Sequence, residues 1–228
     1  LYLFLQGKVE VGFFPGSTQK KDALTAVGGA LMKKLPATPL NKKIRIAQIL
    51  YQDLKNQNIV INSTNQNFQA LLEKENFAGK LASTTPDTYL LVETNLGANK
   101  ANAYVTRDTT HSISFANGIA SHSATVNMHN SSSESNPNPP FHYGGDYIAY
   151  LRIYIPLDAQ NILLASGSAA IKNYDKSEKF GLTELGFWQT TPAGGQTSVS
   201  LSYTLPITPE NYSLTILKQH GLVTPPQT

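Results

Sequence analysis

Two different spacings of apolar residues succeed one another along the chain, and the change falls near residue 102. Leu24, Val27, Leu31 and Leu35 recur at helical intervals, with Lys33 and Lys34 in the closing turn and Pro36 beyond it. Leu40, Ile44, Ala47, Leu50, Tyr51 and Leu54 mark a second, more amphipathic helix. Phe68, Leu71 and Leu72 mark a third, behind Ser63-Thr64-Asn65-Gln66, which reads as a capping box. The spacing predicts helices near 22–35, 39–55 and 64–76, the first weakened by about 1 kcal/mol for each residue of Gly28-Gly29. Residues 58–62 and 88–93 read as strands between them, and residues 1–14 as a strand ended by Pro15-Gly16.

Past residue 102 the period is two. Asn117-Gly118 is a strong two-residue hairpin signal. It sets Ala116 opposite Ile119, Phe115 opposite Ala120, Ile113 opposite His122 and His111 opposite Ala124. The face carrying Val105, Ile113, Phe115, Val126 and Met128 is then the core face. Residues 144–156 have the densest β-forming composition, with Tyr147, Ala149, Leu151, Ile153 and Ile155 pointing one way and Ile148, Tyr150, Arg152 and Tyr154 the other. That stretch predicts a central strand with one face on a core and the other at least half covered. Strands follow at 161–165, near Ile171, at 181–189, at 198–205 and around Tyr212, Leu214 and Ile216. Fold class α+β is expected: a small helix-containing N-terminal part over residues 1–102, then an immunoglobulin-like antiparallel β-sandwich over residues 103–228. The Cys pair and Trp spacing of antibody domains are absent.

Composition narrows the function classes. At 228 residues roughly 70% of the unfolded surface can be buried, so no covalent staple is required. A net charge of +3 and a charged fraction of 14% are too weak for a nucleic-acid footprint. With no Cys there are no disulfides, thiolate nucleophiles or Cys-ligated zinc. No apolar run approaches the roughly 20 residues that span a bilayer. Because the sequence opens at Leu1 rather than Met, a signal or anchor is expected upstream, and a membrane enters only through it.

Several motifs occur in order: residues 68–79 (FQALLEKENFAG), 95–102 (NLGANKAN), Gly144-Gly145-Asp146-Tyr147 followed by 151–156 (LRIYIP), 203–206 (YTLP) and 218–221 (KQHG). Together they resemble the C-terminal part of the bacterial family called Domain of Unknown Function 4012. The resemblance covers roughly residues 24–222, and departs from the family pattern in the opening 1–16 and in the Ser/Asn/Pro insertion before Gly144. It implies an exported or envelope-anchored bacterial protein with an upstream transmembrane helix, and it implies no reaction.

Candidate chemistry is sparse. The hairpin register puts His111 and His122 on one face at diagonal positions, a pair without a third ligand at metal spacing. Arg152 sits mid-strand and needs a partner, either a carboxylate, for which Asp146, Asp108 and Glu93 are candidates, or several backbone carbonyls; an anion or sugar-acid site on Arg152 is the functional alternative. Asn95, Asn99 and Lys100 lie in a Gly-containing loop that lacks phosphate-cradle spacing, so its Asn side chains are expected to bond their own turn. Tyr143, Tyr147, Tyr150, Tyr154 and Trp188 form either core or a glycan-stacking platform. No G-x-S-x-G occurs, and Asn-X-Ser/Thr at Asn62, Asn130 and Asn211 reads as chance in a chain this rich in Asn and Ser. The expected function is a non-catalytic, extracytoplasmic structural or adhesive module of a bacterial cell surface, without cofactors. Its expected partners are envelope glycan, other surface proteins or a second copy; the alternatives are a glycan-binding module and, behind it, an envelope polymer-processing enzyme.

Overall fold

The computed structural model describes residues 19–81, 85–97, 99–133 and 144–222. The strand and turn expected in residues 1–16, Tyr143, and much of the loop before Gly144 lie outside these.

Three helices come first: α1 (Gln19–Lys34), α2 (Leu40–Lys55) and α3 (Gln66–Lys74). The third starts two residues later than its capping box predicts, because Asn65 is the cap and its side chain accepts from the Phe68 amide. The strand expected at 58–62 is absent: Ile61 donates to the Phe77 carbonyl, but no ladder forms around it.

Ten strands follow among the described residues: β1 (Asp87–Asn95), β2 (Val105–Ala116), β3 (Ile119–Asn130), β4 (Tyr147–Pro156), β5 (Gln160–Ser166), β6 (Ala169–Ala170), β7 (Asp175–Lys179), β8 (Leu182–Thr191), β9 (Gln196–Leu205) and β10 (Leu214–Leu217). They form two five-stranded sheets, ordered β10-β1-β4-β8-β7 and β2-β3-β9-β5-β6. All pairings are antiparallel except β1 with β10. Since β1 is bonded to β4 and β10, the first sheet takes in residues on both sides of position 102. The β2–β3 hairpin has the register its Asn-Gly turn specifies, with Asn117 at φ 52° and Gly118 at φ 74°. The run 175–179 carries no apolar residue and lies exposed at a sheet edge, so its strand is invisible to periodicity.

The two sheets pack face to face. Tyr147, Ala149, Leu151, Ile153, Ile155, Leu185 and Phe187 of the first meet Ala124, Val126, Met128, Val199, Leu201, Tyr203 and Leu205 of the second. Alternation puts them there: each is an every-second residue of a strand whose intervening positions face out. On the outer side of the first sheet, Leu90, Tyr154 and Leu182 are sealed by Leu81, Val92 and Leu217. That seal covers only part of the face. At one end Asn130 is fully buried and donates to the carbonyls of Gly145 (2.9 Å) and Thr191 (3.1 Å), fastening β3 to the end of the pair where β4 starts and β8 finishes. A side chain so enclosed cannot accept a glycan.

Leu151 is wholly buried whereas Leu163 is 70% exposed. Leu151→Ala should therefore cost about 3 kcal/mol in urea unfolding, and Leu163→Ala under about 0.5 kcal/mol.

Candidate functional site

Strand β1 supplies two polar clasps between the sheets. Its inward positions, Asp87, Tyr89, Leu91 and Glu93, alternate with outward ones, and the fold brings four other strands and the segment at Tyr212 onto the two acids. At the Glu93 end, Arg107 of β2 makes a two-pronged ion pair, its Nε on Oε1 and its Nη2 2.7 Å from Oε2. The Tyr147 hydroxyl donates to the same carboxylate at 2.7 Å, and Arg107 Nη1 donates to the Val105 carbonyl at 2.6 Å. Burial would lower the Arg107 pKa, but the Glu93 partner more than offsets it and holds the guanidinium above its ordinary value.

At the other end Asp87 is completely buried. It accepts from the hydroxyls of Tyr203 and Tyr212, each at 2.6 Å, and from His122 Nδ1 at 2.9 Å. Burial pushes this carboxyl up, yet the three hydrogen bonds together hold it below the usual carboxylate range. His122 Nε2 lies 3.1 Å from His111 Nδ1. With one proton on each ring, the relay runs from His111 through His122 to Asp87 and ends on a bare His111 Nε2, buried without a partner. The Tyr89 hydroxyl is likewise buried and unpaired, its ring edge-on to His111 with centroids 4.8 Å apart. A cavity of about 40 Å³ next to Tyr89, Thr109, Arg107 and Glu93 has room for an ordered water. Burial, with His122 alongside, pushes His111 down to about 4. The histidines share a face as the hairpin register requires, but that face is the interior. Among the described residues no group of three or more His, Asp or Glu is arranged to hold a metal ion.

The open part of the first sheet's outer face is different in kind. A groove of about 470 Å³ is lined by Thr94, Leu96, Tyr150, Arg152, Asp175, Ser177, Lys179 and Glu184. Arg152 Nη2 donates to Thr94 Oγ1 at 3.0 Å, while its Nε is buried and unpaired. None of the three expected carboxylates holds it. Arg152 is level with Val92 on β1, and its outward parity leaves Glu93 on the opposite face, bound to Arg107. Asp108 lies on the exposed side of β2, and Asp146 accepts from the Ala193 amide at 3.0 Å. The Tyr150 hydroxyl bonds Asp175, and that contact raises it to about 12. Glu184 accepts from Lys179 (2.8 Å), Ser177 (3.2 Å) and the Tyr154 hydroxyl. Gly186 gives the Tyr150 ring tip its space, since a Cβ there would overlap the hydroxyl. Trp188, 60% exposed, stands edge-on to Tyr150 with centroids 5.4 Å apart. Of the aromatics expected to form core or platform, Tyr147 is core, Tyr154 is buried in the outer seal, Tyr150 lines the groove, and Trp188 stands exposed against Tyr150.

Asn95, Asn99 and Lys100 are brought together as a turn. Asn95 Nδ2 donates to the Asn99 carbonyl (2.8 Å), Asn99 Nδ2 to the Asp146 carbonyl (2.8 Å), and Lys100 precedes the short helical turn Ala101–Tyr104. The loop bonds its own backbone and ties β1 to the start of β4. Sequence reasoning missed Asp175, Lys179 and Glu184, which no spacing connects to Arg152. It also passed over Arg107, although the hairpin parity that marked Val105 and Ile113 as inward marks Arg107 too.

No family model matches the chain, and no curated protein matches it. Among solved structures, one from Legionella pneumophila subsp. pneumophila str. Philadelphia 1, described as a "putative nutrient binding protein", is similar at TM-score 0.38 and 6% identity. The match covers 52% of this chain and 43% of that one, so this chain spans less than half of its length. Among the described residues no helix is long and apolar enough to cross a membrane.

The interior relay makes acid stability predictable. Between about 4 and the ordinary value of 6.5, the unfolded chain binds a proton at His111 that the folded chain refuses, so stability rises with pH across that window and is lost on acidification. The depressed Asp87 carboxyl adds to the loss at still lower pH. Going from pH 7 to pH 5 should cost about 1 kcal/mol through His111, allowing for partial exposure of the ring, and His111→Gln should flatten the melting profile over that interval.

Proposed function

We propose that this chain is a non-catalytic, extracytoplasmic adhesive module of a bacterial cell surface, an immunoglobulin-like sandwich whose outer-face groove binds envelope glycan. The observation that carries the reading is the groove itself, lined by Tyr150 and by Arg152, whose Nε is buried with no partner, with the exposed Trp188 standing against Tyr150 beside it. Sugars are recognised by this mixture: an aromatic surface for the apolar face of the ring, and fixed donors and acceptors for its hydroxyls. Arg152 and Lys179 balance Asp175 and Glu184, which suits a neutral, hydroxyl-rich ligand better than a strongly charged one. The ordered motifs that resemble Domain of Unknown Function 4012, the low charge and the absence of Cys support the surface address.

Binding to purified cell-wall polysaccharide, and to a glycan array, tests the reading. Trp188→Ala and Arg152→Ala should each weaken binding about tenfold, the effect of losing one contact worth about 1.4 kcal/mol, with melting temperature changed by no more than a few degrees. A wild-type protein that retains no glycan in either assay, or variants that bind as wild type does, would refute it.

A further inference from the structure

We infer that the helical segment is a docking surface for an anionic lipid bilayer, with α2 lying in the interface. The helix buries none of its residues. Leu40, Ile44 and Leu50, which lie toward one side of it, are all exposed, with Leu40 at 73%. On α1, Leu31 and Met32 are also exposed.

Charge selects the occupant. Residues 19–55 carry eight Lys and Arg against two Asp, a net +6, whereas the remainder of the chain carries ten against thirteen acids, a net −3. A basic, strongly amphipathic helix with an open apolar side is the pattern that settles into a headgroup layer, apolar side down and cations against anionic lipid. A second copy of the same segment would set +6 against +6, which disfavours self-association through this face.

The helix is also held to the β-sheet body. Lys218 Nζ donates to the Asn56 carbonyl (2.6 Å) and to Asn58 Oδ1 (3.0 Å), and His220 Nδ1 donates to the Gln57 carbonyl (3.0 Å). Tyr51 leans edge-on against Phe77 with centroids 6.2 Å apart. These contacts hold the C-terminal end of α2, where Tyr51 is engaged, and leave Leu40, Ile44 and Leu50 open. The surface is separate from the groove and stands or falls independently of glycan binding.

The test is co-sedimentation of the whole chain with vesicles of phosphatidylcholine alone and of phosphatidylcholine with a third phosphatidylglycerol. Binding to the anionic vesicles only, weakened several-fold by 0.5 M salt and at least tenfold by Ile44→Asp with Leu50→Asp, is the expected result. Lys42→Glu with Arg45→Glu should weaken it comparably, and all four positions are exposed or on the helix surface, so far-UV circular dichroism and melting temperature should be unchanged. Three results would overturn the inference: no pelleting with anionic vesicles at low salt, equal pelleting with both vesicle types, or a dimer in sedimentation without lipid that the apolar-side substitutions abolish.

Discussion

The contact that everything else in this molecule answers to is the apolar meeting of two sheet faces, with β4 at the centre of one and β3 and β9 at the centre of the other. Side chains of a strand alternate between faces, so committing Leu151, Ile153 and Ile155 to that interface commits their neighbours to the opposite side. Arg152, Tyr150 and Trp188 are therefore presented outward, beside one another on paired strands, without any interaction of their own requiring it. The groove is a by-product of core parity, and its chemistry comes from what fills the alternate positions.

The same parity brings charge inside. Asp87, Glu93, Arg107, His111 and His122 all occupy inward positions on strands near one side of the sheets. Buried charge is tolerated there because each carboxylate is met by several donors: Glu93 by Arg107 and Tyr147, Asp87 by His122, Tyr203 and Tyr212. Such clasps add direction to an interface that apolar packing alone leaves free to slide. They also leave residual unpaired atoms, at His111 Nε2 and at the hydroxyl of Tyr89, a residue that lines the small cavity.

The helices obey a different logic. Their apolar residues are spaced for a face, yet α2 has nothing packed over most of it. Amphipathic spacing normally reports a core-facing side, and here it does not, since the sheets satisfy their own inner faces and Leu81 and Leu217 help to seal part of the outer one. An exposed apolar side with a concentration of cations about it is a surface in search of a complementary one.

Local spacing in the sequence was enough to place the three helices within a few residues, to set the β2–β3 register to the residue, to pair His111 with His122, and to choose which side of β4 is core. These are consequences of periodicities of 3.6 and 2 and of a turn that only Asn-Gly-type residues favour, all of which act over a few positions. Lateral order was beyond it. That β1 joins β4 and lies parallel to β10, that the wholly polar run 175–179 forms an edge strand, and that Arg152 meets Thr94 while Glu93 goes to Arg107 were decided only by tertiary structure. A strand's pattern states which of its faces is buried but not which strand lies beside it, and neighbours across a sheet are selected by long-range packing that leaves no mark on spacing.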